Sequence, residues 1–153
     1  MKKYLLLTLL VTCVFLISAC NSSEKVDVLT EQVNAVNEID FAECIEETKK
    51  ELISENSKNT IFVKELFEGS SWNEPLFTIS DDGSCLIACT SGSIGIDGIF
   101  KMNLKLGFSE ALKNKMSTTR AIDGTQNDEN DKFKVSWTYH PDNGLQVIYE
   151  KKY

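Results

Sequence analysis

The sequence contains a single histidine, His140, which lies in the run His140-Pro141-Asp142-Asn143-Gly144. Proline, aspartate, asparagine and glycine in succession are typical of a turn. Histidine is the commonest metal ligand and general base near neutral pH, but either role needs partner residues, and the pattern offers none. We therefore predict that His140 is an exposed turn residue and that the protein binds no metal.

The motifs that usually carry catalysis are also missing. We find no G-x-S-x-G elbow, no H-E-x-x-H helix, no Walker-type loop and no dinucleotide fingerprint. We expect no catalytic residues, no cofactor and a protein that is not an enzyme. A small envelope hydrolase with paired carboxylates remains the alternative, although nothing selects a pair among the 23 acidic residues.

Positive charge is scarce. The chain has 16 lysines and arginines against 23 aspartates and glutamates, which gives a net charge of −7. Phosphates and anionic head groups would be repelled, so binding to nucleic acid is disfavoured. The negative charge has two interpretations. The general one is that it keeps a surface domain soluble, and the more specific one is that the protein binds a basic protein partner.

Long apolar runs are absent after the N-terminus, where Tyr4 to Ile17 form the one extended apolar stretch, preceded by Lys2 and Lys3. Its length fits the core of a signal peptide, about 7–15 residues, and falls short of the ~20 residues that span a bilayer. We therefore interpret residues 1–19 as a signal peptide.

The apolar stretch ends in Ile17-Ser18-Ala19-Cys20, which resembles the lipobox of bacterial lipoproteins. The resemblance implies that Cys20 receives a diacylglyceryl group and that the peptide is cut before it. Two acyl chains hold a protein stably at a bilayer, at about 0.8 kcal/mol per buried CH₂. The residue after the cysteine is Asn21. By the same resemblance, an aspartate at this position would favour retention in the inner membrane, so Asn21 favours the outer membrane.

Residues 20–27 are then the lipidated cysteine and a polar tether, and residues 28–153 form one globular domain. Removal of residues 1–19 leaves 134 residues, and the loss of two lysines makes the net charge −9.

Three cysteines remain in the predicted domain: Cys44, Cys85 and Cys89. An odd number in an oxidising envelope predicts one disulfide and one free thiol. If residues 85–89 form a strand, Cys85 and Cys89 lie roughly 13 Å apart, beyond the ~7 Å that a disulfide spans. A bridge would then have to use Cys44, and the choice of its partner stays open.

Hydrophobic periodicity predicts an α+β domain, in which one or two N-terminal helices pack on an antiparallel sheet that ends in a C-terminal β-hairpin. A first helix is expected around Leu29–Val36, and a second begins at Asp40, with Glu43 completing a capping box. Strands are expected over residues 60–67, 76–80, 84–90, 94–106, 133–139 and 145–149. A short helix follows Ser109, and residues 125–131 are expected to form a mobile loop.

The segment from Leu104 to Tyr139 adds a second resemblance. Leu104-Lys-Leu-Gly107-Phe-Ser109, a short helix and the aromatic run Phe133, Trp137 and Tyr139 resemble the small lipoprotein of the outer-membrane β-barrel assembly machinery. That family's pattern is a strand, a glycine with small hydroxyl residues, a helix and an aromatic strand. The chain departs from it in having no Leu-Gly-x-Pro after the helix and no counterpart for residues 27–100.

The leading functional hypothesis is a lipid-anchored envelope protein that acts by binding another protein. One version is an immunity or inhibitor protein against an envelope-acting toxin or hydrolase. The resemblance to the assembly lipoprotein implies the alternative of an accessory structural role in an outer-membrane complex. Candidate interface residues are Trp72, Trp137 and Tyr139, because aromatic side chains often anchor protein interfaces.

The lipobox gives a direct prediction. Cys20→Ser should leave an uncut precursor without acyl chains, because the hydroxyl does not replace the thiol as the acceptor of the diacylglyceryl group. Mass spectrometry of the N-terminus measures this, and Cys44→Ser is the control that should remain fully lipidated. A native protein without acyl mass would contradict the assignment.

Overall fold

The computed structural model describes residues 39–71, 73–90 and 92–153, and Ile39–Tyr153 forms one compact unit. The predicted signal peptide, Cys20, the tether and the helix expected around Leu29–Val36 lie outside the described residues, as does Trp72. Within the described ranges, no helix has the length and apolar character needed to cross a membrane.

The predicted fold class is confirmed, since helices pack on a five-stranded antiparallel sheet with strand order β1-β2-β5-β4-β3. The helices are α1 (Phe41–Glu55), α2 (Thr60–Glu68), α3 (Ser93–Lys105) and α4 (Glu110–Thr118), with 3-10 turns at Ser57–Asn59 and Ala121–Asp123. The strands are β1 (Phe77–Ile79), β2 (Cys85–Thr90), β3 (Gln126–Glu129), β4 (Phe133–His140) and β5 (Gly144–Lys151).

Helix α1 begins where the capping pattern predicts. The Asp40 carboxylate accepts a hydrogen bond from the Ala42 backbone N–H at 2.8 Å. The apolar side of the helix is buried at helical spacing through Phe41, Cys44 and Leu52. Its polar side faces α3, where Lys105 contacts Glu51 at 2.7 Å and lowers the pKa of that carboxyl.

Residues 60–68 form helix α2, so the strand predicted at residues 60–67 is wrong. The β-branched and aromatic composition suggested a strand, but burial follows a helical period. Val63 and Phe67, four residues apart, enter the core, while Ile61 and Phe62 point to solvent. Tertiary burial of one helical face has overridden local strand propensity.

The strands predicted over residues 94–106 are also wrong, because Ser93–Lys105 is helix α3. Its glycines suggested turns, but they allow close packing. A Cβ added at Gly95 would overlap the Thr90 side chain, because it would lie 2.7 Å from the Thr90 Cβ. A Cβ added at Gly98 would lie 2.9 Å from Leu76 Cδ2. Both glycines lie in the buried face of the helix.

Strand β3 occupies part of the segment for which the polar composition predicts a mobile loop. Gln126–Glu129 pairs with β4 in the register Gln126↔Trp137 to Glu129↔Lys134. Polar composition suggested a loop, but an edge strand with charged residues is a common way to discourage pairing with other chains. Asp128 is held by Lys115 Nζ at 2.6 Å, which lowers the pKa of that carboxyl.

Both predicted hairpins are present. Strands β4 and β5 pair from Phe133↔Lys151 to His140↔Gly144, and β1 pairs with β2. In the β1–β2 turn, the Asp82 carboxylate accepts hydrogen bonds from the Ser80 hydroxyl and from both the hydroxyl and backbone N–H of Ser84. These bonds lower the pKa of Asp82 to about 2.

A buried polar link joins the central strand to the helices. The Tyr149 hydroxyl donates to Asn103 Oδ1 at 2.6 Å, and Asn103 Nδ2 donates to Met116 Sδ at 3.3 Å. Tyr149 is fully buried, which raises the pKa of its phenol. Because each buried polar group has a partner, the link fixes β5, α3 and α4 without leaving an unsatisfied group.

Gly95→Ala tests the close packing of α3. The added methyl group has no room beside Thr90, so we expect the free energy of unfolding to fall by about 1–3 kcal/mol. Denaturant titration measures the change. Gly92→Ala is the matched control, because its nearest neighbour outside the adjacent residues is Thr90 Oγ1 at 4.0 Å; a loss in the control as large as in Gly95→Ala would contradict the explanation.

Candidate protein-docking surface

The sheet has two different faces. Side chains that point towards the helices are buried through Leu86 and Ala88 on β2, Val147 and Tyr149 on β5, and Phe133, Val135 and Trp137 on β4. Side chains that alternate with these point the other way and are exposed or half-buried. We call this second side the outer face.

Charge is unevenly distributed over the outer face. The strand register aligns Cys85, Glu150, Lys134 and Glu129 in one row, which contains the three charged residues that β5, β4 and β3 place on this face. The rows beyond it are uncharged. They form what we call the neutral strip, which consists of Thr78, Ile87, Cys89, Ser136, Thr138, Gln146 and Ile148.

The neutral strip continues into a groove of ≈ 750 Å³ at the end of the sheet where β4 ends and β5 begins. We call it the sheet-end groove. Helix α2 contributes Phe62 and Glu65, the loop before β1 contributes Glu74, and the sheet contributes Ile87 and Tyr139. Three of these large side chains are accessible: Phe62 is 52% exposed, Tyr139 38% and Ile87 37%.

Glu65 and Glu74 are the carboxylates that line the sheet-end groove, and its described lining contains no lysine or arginine. No ion pair of the described residues involves either carboxylate. Elsewhere on the surface, carboxylates face lysines, as in Lys49–Glu68 at 2.8 Å and Lys101–Glu55 at 2.7 Å. The groove is therefore negatively charged, and it also presents exposed apolar side chains.

The two carboxylates are held on connected backbone. The Leu76 backbone N–H donates to the Leu66 carbonyl at 2.7 Å, which ties the residue after Glu65 to a residue two positions beyond Glu74. Within the loop, the Ser70 backbone N–H donates to the Asn73 carbonyl at 2.8 Å, and Gly69 takes a positive φ of 73°. This part of the groove is preorganised by backbone hydrogen bonds.

The sheet-end groove lies far from the start of the described chain. The Phe41 ring packs on Phe133 with ring centroids 5.7 Å apart, and Lys151 Nζ lies 5.2 Å from the Phe41 ring centroid. These contacts place the start of α1 where β4 begins and β5 ends. The groove lies at the other end of those eight-residue strands, roughly 24 Å away for seven steps of ~3.4 Å each.

The predicted interface residues separate in the structure. Tyr139 lines the groove, whereas Trp137 belongs to the core, where it is 3% exposed and its Nε1 donates to Thr119 Oγ1 at 2.8 Å. Trp137 is thus a packing residue and does not contribute to the groove.

The sequence analysis did not identify Phe62, Glu65 and Glu74 as residues of a site. If the segment is taken as a helix, the adjacent apolar pair Ile61-Phe62 next to the buried Val63 is the signal that could have identified this surface.

The three cysteines are free in the structure, so the predicted disulfide is not formed. Cys44 is buried on the helical side of the sheet, and burial together with the nearby Glu47 carboxylate raises the pKa of its thiol. Cys85 and Cys89 both project from the outer face of β2, so the sheet separates them from Cys44. Strand geometry keeps Cys85 and Cys89 apart from each other, as predicted.

His140 is an exposed residue at the end of β4, beside the turn. Its Nδ1 accepts a hydrogen bond from the Asp142 backbone N–H at 3.2 Å. The described residues contain no cluster of three or more His, Cys, Asp or Glu side chains that could hold a metal ion.

Comparisons of the chain with protein-family models, curated proteins and solved structures find no match. The resemblance to the assembly lipoprotein loses one of its elements, because residues 104 and 105, expected in a strand, end helix α3.

Thiol labelling tests the placement of the cysteines. A maleimide reagent should modify Cys89 first and Cys85 more slowly, whereas Cys44 should react only after unfolding, because it is buried and its raised pKa reduces the thiolate fraction. Peptide mass mapping with and without prior reduction measures this. A disulfide-linked peptide containing Cys44 would contradict the structure.

Proposed function

We propose that this protein is a lipid-anchored envelope protein that acts by binding a protein partner, and that the partner docks on the neutral strip and the sheet-end groove. The observation that carries the proposal is the continuity of these two surfaces. An uncharged sheet surface leads directly into a concave site with exposed Phe62, Tyr139 and Ile87. We further propose that the protein is non-catalytic and sits at the outer membrane.

The composition of this surface supports docking of a protein. Charged residues make up 25% of the chain, yet the neutral strip has none. The centres of protein interfaces are depleted in charge and enriched in aromatic residues, and exposed apolar patches rimmed by polar residues often mark them.

The most specific version is an immunity or inhibitor protein whose partner is an envelope-acting toxin or hydrolase. Its acidic surface would speed association with a basic enzyme and favour it over other proteins. Loss of such a protein should matter only in the presence of the toxin or hydrolase, whereas loss of an accessory assembly protein should alter detergent sensitivity without a competitor.

Substitution of the exposed anchors tests the proposal. In affinity capture of the full chain from detergent extract, we expect a stoichiometric protein partner, and Phe62→Ala with Ile87→Thr should weaken its binding by at least tenfold because buried anchors carry most interface energy. Leu104→Ala is the matched control, since Leu104 is 51% exposed and lies outside the groove.

Either of two results would reject this function: no protein retained at stoichiometric level, or equal loss of binding in the control. Thermal unfolding of each variant separates loss of binding from loss of folding.

A further inference from the structure

We infer that the partner presents a lysine or arginine next to an apolar residue, and that this cationic side chain enters the part of the sheet-end groove that carries Glu65 and Glu74. The inference rests on the proposed function and identifies the chemistry that the groove selects.

The first step is the state of the two carboxylates. Glu65 and Glu74 are both exposed, and the backbone bond between Leu66 and Leu76 keeps their segments together. Both carboxylates line the same groove, and no ion pair of the described residues involves either of them, so a cation that enters the groove is attracted to both. Elsewhere on this chain, a lysine pairs with two carboxylates: Lys105 bridges Glu47 at 3.0 Å and Glu51 at 2.7 Å.

The second step is the apolar surface beside the charges. Phe62 lies one helical turn before Glu65 on α2, and Ile87 and Tyr139 line the same groove. A lysine or arginine has an aliphatic stem that packs on apolar surface while its charged end reaches a carboxylate. An apolar neighbour in the partner would cover part of this exposed apolar surface.

The third step excludes the other occupants that the chain itself offers. The segment that precedes the described domain, residues 21–38, carries four acidic residues and one lysine, so it does not supply the cationic side chain. A second copy would present the same net negative charge. Charge complementarity therefore favours a basic segment of a different protein.

Binding of defined peptides tests the inference. The probes are fluorescently labelled Gly-Lys-Leu-Lys-Gly and its matched counterpart Gly-Glu-Leu-Glu-Gly, titrated with the full lipidated chain in non-ionic detergent and followed by fluorescence anisotropy. The lysine peptide should bind, more weakly as salt is raised, and the glutamate peptide should not bind.

Glu65→Gln with Glu74→Gln should weaken binding of the lysine peptide by about tenfold, which corresponds to about threefold for each exposed charge pair. Glu46→Gln is the control, since Glu46 is exposed on α1 and lies outside the groove; it should change binding little. Because all three glutamates are exposed, the variants should keep their folding, which circular dichroism checks.

Equal binding of the two peptides, no binding of either, or no change in the double variant would overturn the inference. Those results would leave the capture experiment with Phe62 and Ile87 to decide the proposed function separately. If capture instead yields no partner while the lysine peptide binds through Glu65 and Glu74, the groove chemistry stands and the docking function fails.

Discussion

The close approach of helix α3 to strand β2 is the constraint on which the rest of the architecture depends. Gly95 lies against the Thr90 side chain, and Gly98 lies against Leu76 and Leu52, so α3 sits between the sheet and α1. Any larger residue would push the helix away from both. This position brings Asn103 to the Tyr149 hydroxyl, which is a buried contact. It also brings Lys101 and Lys105 to the acidic side of α1, at the surface. Both kinds of contact therefore follow from the close approach of α3.

The same packing shapes the sheet-end groove. Gly92, Gly95 and Thr90 line it at the point where β2 passes into α3, so the lack of side chains that lets the helix approach also leaves space at the end of the sheet. Helix α2 closes the other side through Leu66, which accepts the backbone hydrogen bond of Leu76. The groove is therefore a consequence of how two helices meet the sheet, and its exposed Phe62 and Tyr139 stand on rigid elements rather than on a long loop.

The sequence predicted the fold class, helix α1 and both hairpins because their signals are local: a capping aspartate at Asp40, and alternation from Phe133 to Tyr139 around a turn. It failed at α2 and α3 because β-branched residues and glycines there serve contacts with distant parts of the chain, such as Gly95 with Thr90. The groove was beyond prediction for the same reason. Tyr139 lies 65 residues after Glu74, and only the fold of α2 and the order of the strands bring it to one surface with Glu65 and Glu74.

Opposite ends of the sheet carry different chemistry. Glu129, Lys134 and Glu150 form a charged row near the end where α1 begins, whereas the strip beyond them is neutral and leads to the groove. On a sheet face that is open to water, polar residues are needed only for solubility. Charges spread evenly over the face would provide that solubility equally well. Their restriction to one end leaves a surface that costs little to desolvate, and a partner that covered it would give up few hydrated charges. This is the property that the proposed docking surface requires.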